Sequence, residues 1–227
     1  MVRSRAVAGG GRAVEVPPER VTGWFDRFAH RHGGIADSTA TPDLVSVTAT
    51  DGATATVTVP FGPLVPPDDP RLAVAVLALH VLRPRRIGLF LVRLGGHSVG
   101  IAYDGKIEHS RTDRRPLQGR TAAGGWSQGR FARRREGQAR AALQAAATDA
   151  FEVLVPQLST LDGVVLGGDT RALDALRADL RLIDVFARAE SRILDTAEPR
   201  RTVLDDAAQR ARSVEIVVVD DPHRRDG

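Results

Sequence analysis

Three consecutive strand candidates separated by two glycine-containing turns lie in the middle of the chain, and this pattern constrains the fold more than any other. The segments span residues 87–94, 99–103 and 106–111. Gly95-Gly96 separates the first two, and Asp104-Gly105 separates the last two. Aspartate followed by glycine between apolar runs favours a tight hairpin turn. The pattern therefore predicts an antiparallel meander of three strands.

A long helix and a series of alternating elements are predicted after the meander. The helix is expected from about residue 129 to 155, with an arginine-rich start. Its apolar stripe consists of Leu143, Ala147, Ala150, Phe151 and Leu154. Strands are then expected at residues 163–166, 192–194 and 214–219, and helices at 170–180 and 199–212. This order predicts an α/β fold in which helices flank a mixed β-sheet.

The first part of the chain reads as an addition to that fold. Residues 1–15 lack periodicity and are expected to be a disordered lead. Residues 16–84 predict a helix-hairpin-helix accessory layer, whose hairpin turns at Asp51-Gly52. We expect the main domain over residues 85–220 and a tail over 221–227.

Composition favours a soluble cytoplasmic protein. The chain has 227 residues, 42% of them hydrophobic, and no cysteine. Disulfides and thiolate metal sites are thereby excluded. No segment has the length and apolar character of a membrane span, and residues 1–16 lack the apolar core of a signal peptide. We expect a monomer that needs no cofactor or metal and contacts no membrane.

Positive charge is concentrated between residues 111 and 140. This segment contains nine arginines but only two acidic residues, Asp113 and Glu136, and so carries a charge of +7, whereas the net charge of the whole chain is +4. A basic stripe next to the start of a helix is typical of proteins that bind nucleic acids.

The segment 124–135 combines groups suited to an RNA-lined site. Its sequence is Gly-Gly-Trp-Ser-Gln-Gly-Arg-Phe-Ala-Arg-Arg-Arg. Gly124 and Gly125 allow positive φ and a close approach to another molecule. The amide of Gln128, expected at the loop tip, can orient a water molecule or donate to an oxyanion, which suits hydrolysis of an ester at the 3′ end of tRNA. A surface loop followed by a solvated helix face remains the alternative.

Other candidate sites are weaker. Asp104 and Glu108 are compatible with a nuclease carboxylate cluster, but a turn and an exposed strand position explain them as well. The segment Gly167-Gly168-Asp169-Thr170 resembles an anion-binding helix start, although Asp169 also fits a helix cap. The motif His30-Arg31-His32 lacks the spacing of a zinc-binding helix, and surface or helix-end positions are expected for the histidines.

The segment 124–135 resembles known catalytic loops. Arg130-Phe131-Ala132-Arg133 resembles the second half of the catalytic loop of class-1 release factors from eukaryotes and archaea, where Gly-Gly-Gln precedes it. The sequence of the whole segment is similar to that of the actinobacterial VLRF group, whose members are release-factor-like peptidyl-tRNA hydrolases of ribosome quality control. The resemblance extends over residues 85–220, where the order of elements is that of the release-factor middle domain.

This resemblance implies an RNase H-like fold and hydrolysis of peptidyl-tRNA on stalled large ribosomal subunits. Gln128 matches the catalytic glutamine, and Gly124 and Gly125 match the glycines before it. Trp126 and Ser127 intervene, so Gln128 stands two residues before Arg130 where the release factors have four. Arg130, Arg133, Arg134 and Arg135 match the basic start of the helix. From the chemistry of the segment, we expect these arginines, Arg120 and Trp126 to contact rRNA or tRNA. The alternative is a non-catalytic factor that binds the ribosome or tRNA through the same loop.

Overall fold

A computed structural model describes residues 3–7, 10–93, 95–114 and 127–220 of the chain. The chain divides into two compact units. Unit 1 comprises Met1–Pro84 and Arg212–Gly227, and unit 2 comprises Arg85–Ala211.

The strands and helices follow one another along both units. In chain order they are β1 (Arg3–Ala6), β2 (Arg12–Val16), α1 (Val21–Arg31), β3 (Ile35–Ala40), β4 (Leu44–Ala49), β5 (Thr54–Thr58), α2 (Ala73–Val81), β6 (Arg86–Arg93), β7 (Gly96–Tyr103), β8 (Lys106–Arg114), α3 (Ser127–Leu154), β9 (Gly163–Gly168), α4 (Thr170–Leu176), α5 (Ile183–Ala187), β10 (Ala189–Leu194), α6 (Arg201–Ala211) and β11 (Val214–Val219). Among the described residues, no helix has the length and apolar character required to cross a membrane.

Unit 1 is a six-stranded antiparallel sheet with two helices on one face. The strand order is β1-β2-β11-β5-β4-β3. Alternate residues of the strands are buried, and they form one core with α1 and α2. Val21, Phe25 and Phe28 recur at helical spacing and are the residues that α1 buries.

The sequence-based description of unit 1 needs two corrections. The expected helices and hairpin are present as α1, α2, β4 and β5, but four more strands join them, so a helix-hairpin-helix layer is not what forms. The expected disordered lead, residues 1–15, contains β1 and all but the last residue of β2. Strand β2 is paired along its length with β11. This pairing joins residues about 200 positions apart along the chain, and local periodicity carries no information about it.

Unit 2 contains the predicted mixed sheet flanked by helices. Its strand order is β10-β9-β6-β7-β8. Strands β6, β7 and β8 form the antiparallel meander, and β9 and β10 extend the sheet from β6 in parallel. The turn between β7 and β8 has positive φ at Asp104 (47°) and Gly105 (77°), as a tight hairpin requires. The predicted fold class is confirmed.

Helices cover both faces of this sheet. A Cβ placed on Gly88 of β6 would lie 3.2 Å from Leu154 of α3, on one face. A Cβ placed on Gly100 of β7, which faces Leu89 across the ladder, would lie 3.0 Å from Leu204 of α6, on the other face.

Two predicted elements differ from the structure. The strand predicted at residues 214–219 has those bounds as β11, but it pairs within the sheet of unit 1 and not within the mixed sheet. The helix predicted to run to residue 180 ends at Leu176, and a separate short helix, α5, follows it. Sequence periodicity located the strand correctly but could not identify its partners.

Candidate functional site

Helix α3 is held to unit 2 by its C-terminal half. Its buried side chains are Ala146, Ala147, Ala150, Val153 and Leu154, whereas none of the side chains from residue 136 to 145 is buried. The small alanines allow the helix axis to approach the sheet closely. At 1.5 Å per residue, Ser127 lies about 28 Å along the helix axis from Ala146.

A polar network fixes the same half of α3 to the sheet. His97 of β7 is 2% exposed, and its Nε2 lies 2.8 Å from Oδ2 of Asp149 on α3. Arg111 of β8 donates to Oδ1 of Asp149 at 3.2 Å and also to Glu152, one helical turn further along. The hydrogen bond to Glu152, and then that to Asp149, raise the pKa of Arg111 above its ordinary value. The guanidinium therefore stays charged and joins two carboxylates of α3.

Of the predicted catalytic residues, Gln128 lies at the opposite end of α3. Gly124, Gly125 and Trp126 lie outside the described residues, as does Arg120. The helix begins at Ser127, two residues earlier than predicted, so Gln128 belongs to its first turn and not to the tip of a loop. Hence the glutamine backbone is helical.

The predicted RNA-binding arginines also fall on α3. Arg130, Arg133, Arg134 and Arg135 occupy its first three turns. These turns precede all of the buried side chains described for the helix. The predicted catalytic and basic residues of α3 are thus brought together at one end of a helix that is anchored at the other.

A mostly apolar cavity of about 280 Å³ lies beside the middle of α3. It is bounded by the β6–β7 hairpin and the start of α4. Its lining includes Val92, Gly96, Ala139, Leu143 and Ala172, with Arg93 and Arg171 at its polar side.

The nuclease alternative has no support in the positions of its two carboxylates. Asp104 occupies the tight turn between β7 and β8, and its N–H donates to the carbonyl of Arg85. Glu108 accepts from Nε of Arg86 at 2.9 Å. In the part of the chain that the structure describes, no three His, Asp or Glu side chains are grouped closely enough to hold a metal ion. Asp104 is explained by its place in the turn, and Glu108 by its ion pair with Arg86.

Asp169 is a helix cap, as one of its two sequence interpretations predicted. Its Oδ1 accepts from the N–H of Arg171 at 2.9 Å and from that of Ala172 at 3.4 Å. The preceding Gly168 has φ +101°, and a Cβ there would lie 2.1 Å from the carbonyl oxygen of Val92. The glycine is required by this close contact between neighbouring strands, which is a sufficient explanation of the motif.

The network of His97, Arg111, Asp149 and Glu152 was missed by the sequence analysis. Surface or helix-end positions are expected for the histidines, and His32 and His80 do lie at the ends of α1 and α2, although both are buried. His97 differs, because it is buried within β7. The sequence did hold a signal that His97 is buried, because His97 continues the alternation of apolar residues in the strand predicted at residues 99–103. A charged partner on α3 could not be identified from that signal.

Two solved structures resemble the chain at low sequence identity. The archaeal translation termination factor aRF1 has a TM-score of 0.44 and 11% identity, with 87% of this chain and 73% of that one covered. Dom34 of S. cerevisiae, a translation termination-like factor involved in RNA quality control pathways and interacting with Hbs1, has a TM-score of 0.33 and 9% identity, with coverage of 91% and 65%. No curated protein matches the chain.

The sequence itself matches a family of release factors. The match covers residues 85–217, which is more than half of the chain. It spans all of unit 2 and most of β11. The chain belongs to the Actinobacteria/chloroflexi VLRF1 release factor family. The resemblance seen in the sequence is thereby confirmed, and the protein is a translation-related, release-factor-like factor.

Proposed function

We propose that the protein is a peptidyl-tRNA hydrolase that releases nascent chains from tRNA on stalled large ribosomal subunits in the cytoplasm. Membership in a release factor family over residues 85–217 is the observation that carries this proposal. Release factors act on the ester that links a nascent chain to tRNA. The substrate is therefore peptidyl-tRNA, and the partner is the rRNA of the large subunit.

The architecture of α3 supports this function. Peptidyl-tRNA esters lie inside the large subunit, so a hydrolase must extend its reactive group well beyond its own core. Gln128 stands in the first turn of a 28-residue helix. The buried side chains of that helix, together with Asp149, fix its other half to the sheet. An anchored helix of this length provides both reach and rigidity.

The chemistry assigned to Gln128 is positional. Its amide does not ionise, so it cannot act as a general base; its carbonyl oxygen orients the attacking water, and its amide N–H groups donate to the developing oxyanion. As the second residue of α3, Gln128 also has a backbone N–H that the helix itself does not satisfy. That N–H is a further donor to the oxyanion. Gly124 and Gly125 supply backbone clearance for the tRNA end.

The basic residues around Gln128 dock the loop onto RNA in this proposal. Phosphates of rRNA or of the tRNA acceptor stem are neutralised by Arg120, Arg130, Arg133, Arg134 and Arg135. Trp126 stacks on a base. No metal or cofactor takes part in this scheme, because an activated ester needs only an oriented water and a stabilised oxyanion.

Peptide release tests the role of Gln128 directly. Labelled peptidyl-tRNA on large subunits is incubated with the wild type, with Gln128→Ala and with Gln144→Ala, which removes an exposed glutamine further along α3. Loss of one oxyanion donor typically slows catalysis by about 10²–10³-fold. We expect that loss for Gln128→Ala, wild-type release for Gln144→Ala, and unchanged co-sedimentation with large subunits for both variants.

Other outcomes would point to the non-catalytic alternative. If wild type and Gln128→Ala both bind large subunits but neither releases peptide, the protein is a ribosome-binding factor and not a hydrolase. Replacing Arg133, Arg134 and Arg135 by alanine separates docking from chemistry. In the hydrolase proposal this variant binds more weakly and with a flatter salt dependence.

A further inference from the structure

A second basic and aromatic surface lies in unit 1, far along the sequence from the Gln128 segment. It is a cleft of about 300 Å³ between α1 and the strands β1 and β2. The residues that line it are Ser4, Arg12, Val14, Trp24, Arg27, Phe28 and Arg31. The family match begins at residue 85 and does not include this cleft.

The lining residues converge because of helix and strand periodicity. Trp24, Arg27, Phe28 and Arg31 recur at the spacing i, i+3, i+4, i+7 and therefore share one face of α1. On β2, Arg12 and Val14 lie on the same side of the strand, and Val14 is part of the core beneath α1. The cleft thus lies on the helix-covered face of the sheet, next to its β1 edge.

Aromatic rings form the apolar side of the cleft. Trp24 and Phe28 are stacked, with ring centroids 5.6 Å apart and planes 10° from parallel. Phe28 is 5% exposed, whereas Trp24 is only partly buried. Phe28 therefore holds the indole in a fixed orientation, while part of the indole remains accessible from the cleft.

The three arginines are available to an external anion. Arg12, Arg27 and Arg31 are all exposed, and no ion pair holds any of them within the described part of the chain. Arg5 differs, because it projects from the other side of β1 and pairs with Glu215 at 2.8 Å. The acidic residue of α1, Asp26, falls outside the helical spacing of the cleft residues.

We propose that this cleft binds single-stranded RNA. The arginines contact consecutive phosphates, and Trp24 contacts a base. A volume of about 300 Å³ is at the lower end of the range for small-ligand sites. The site therefore accommodates about one nucleotide, and the strand continues past the β1 edge. Concave shape and an oriented indole favour a nucleotide over a flat anionic surface, and RNA is the nucleic acid with which a translation-related factor works.

Trp24 allows the site to be observed separately from α3. The chain has two tryptophans, Trp24 and Trp126, so Trp126→Phe leaves Trp24 as the sole indole. Full-length protein with this change is titrated with a mixed-sequence eight-nucleotide RNA, and tryptophan fluorescence is recorded at several salt concentrations. We expect saturable quenching. Alanine at Arg133, Arg134 and Arg135 should not alter it.

Matched charge changes identify the residues responsible. Arg27→Ala with Arg31→Ala should weaken the quenching titration by about tenfold or more, as expected for loss of charge-assisted hydrogen bonds. It should also reduce the salt slope by about 1.4, at about 0.7 for each phosphate on a single strand. The control pair, Arg5→Ala with Arg71→Ala, removes the same charge from arginines that are paired with carboxylates. It should leave the titration unchanged.

The proposal has clear contrary results. It is overturned if RNA leaves Trp24 fluorescence unchanged, or if both double variants weaken binding equally. It is also overturned if phosphatidylserine vesicles quench Trp24 while RNA does not, since the cleft would then face a membrane surface. Equal thermal midpoints for all variants exclude unfolding as the cause. The fluorescence titration does not measure peptide release. RNA binding at the cleft can therefore be disproved while the hydrolase proposal stands, and the hydrolase proposal can be disproved while RNA binding at the cleft stands.

Discussion

The two sheets of the molecule differ in how many of their faces are covered. In unit 2, six consecutive residues of β6 and seven of β7 are buried. In unit 1, buried and accessible residues alternate along β4, β5 and β11. Continuous burial arises because α3 and α6 cover opposite faces of the sheet of unit 2. Alternation is the pattern of a sheet with helices on one face only.

This difference separates two ways of supporting a site. The sheet of unit 2 is enclosed, and it fixes one half of α3 while Gln128 lies at the other end. The sheet of unit 1 ends in strands β1 and β2, and the cleft lies between these strands and α1. A buried sheet thus orients a long helix, whereas a half-covered sheet provides a groove at its own edge.

The largest expected effect tests the enclosed sheet. Leu89 and Phe90 are consecutive residues of β6 with 0% exposure, and they face α6 and α3 respectively. Leu89→Ala should lower the free energy of unfolding by about 2–5 kcal/mol and Phe90→Ala by about 3–5 kcal/mol. Urea denaturation followed by circular dichroism measures both.

In the sheet of unit 1, which has helices on one face only, substitutions at two neighbouring residues should differ in their cost. Val57 of β5 is fully buried, and its neighbour Thr56 points to the open face. Val57→Ala should cost about 1.5–3 kcal/mol, since it removes about two buried carbon groups and leaves a small cavity. Thr56→Ala should change the free energy by less than about 1 kcal/mol. A similar cost for both would show that the second face is covered as well.

The same contrast explains which parts of the fold the sequence could predict. The meander of β6, β7 and β8 is local, and Asp104-Gly105 marks its last turn, so pattern and turn chemistry agreed. Strand β3 escaped prediction because it has the sequence Ile-Ala-Asp-Ser-Thr-Ala and buries only Ser38 among its six residues. Its periodic signal is therefore weak. Sheet membership of β11 depends on partners distant in the chain.

The candidate sites differ in a similar way. Gln128 and the arginines after it were identified from the residues of one continuous segment and from its resemblance to a known loop. A motif of consecutive residues can be recognised without knowledge of the fold. The cleft of unit 1 joins Arg12 of β2 to Arg27 of α1 across tertiary structure. Trp24 and Phe28 belong to an apolar stripe at helical spacing along α1. Only the position of α1 on the sheet shows that one side of this stripe is accessible.

An intermediate effect is expected where α3 meets the sheet. Asp149→Ala leaves both His97 and Arg111 without the carboxylate that they share. Because His97 is buried, the loss should cost about 1–3 kcal/mol of unfolding free energy. Denaturant unfolding measures the change. Glu152→Ala is the matched control, since it removes an exposed partner of Arg111 and should cost about 0–1 kcal/mol. Equal costs would mean that the buried histidine contributes little to anchoring the helix.

The smallest effect concerns the part of α3 that lies before its buried half. Gly137 is exposed, and a Cβ built there meets nothing within 4 Å. Gly137→Ala should raise the free energy of unfolding by about 0.5–1 kcal/mol, because alanine loses less backbone entropy in a helix. Thermal unfolding and the helical circular dichroism signal both report the change. With few tertiary contacts to stabilise it, this stretch depends on intrinsic helix propensity, in contrast to residues 146–154. If Gly137→Ala does not raise the free energy of unfolding, the helix at residue 137 is stabilised by tertiary contacts and not by intrinsic helix propensity. The position of Gln128 would then depend on those contacts.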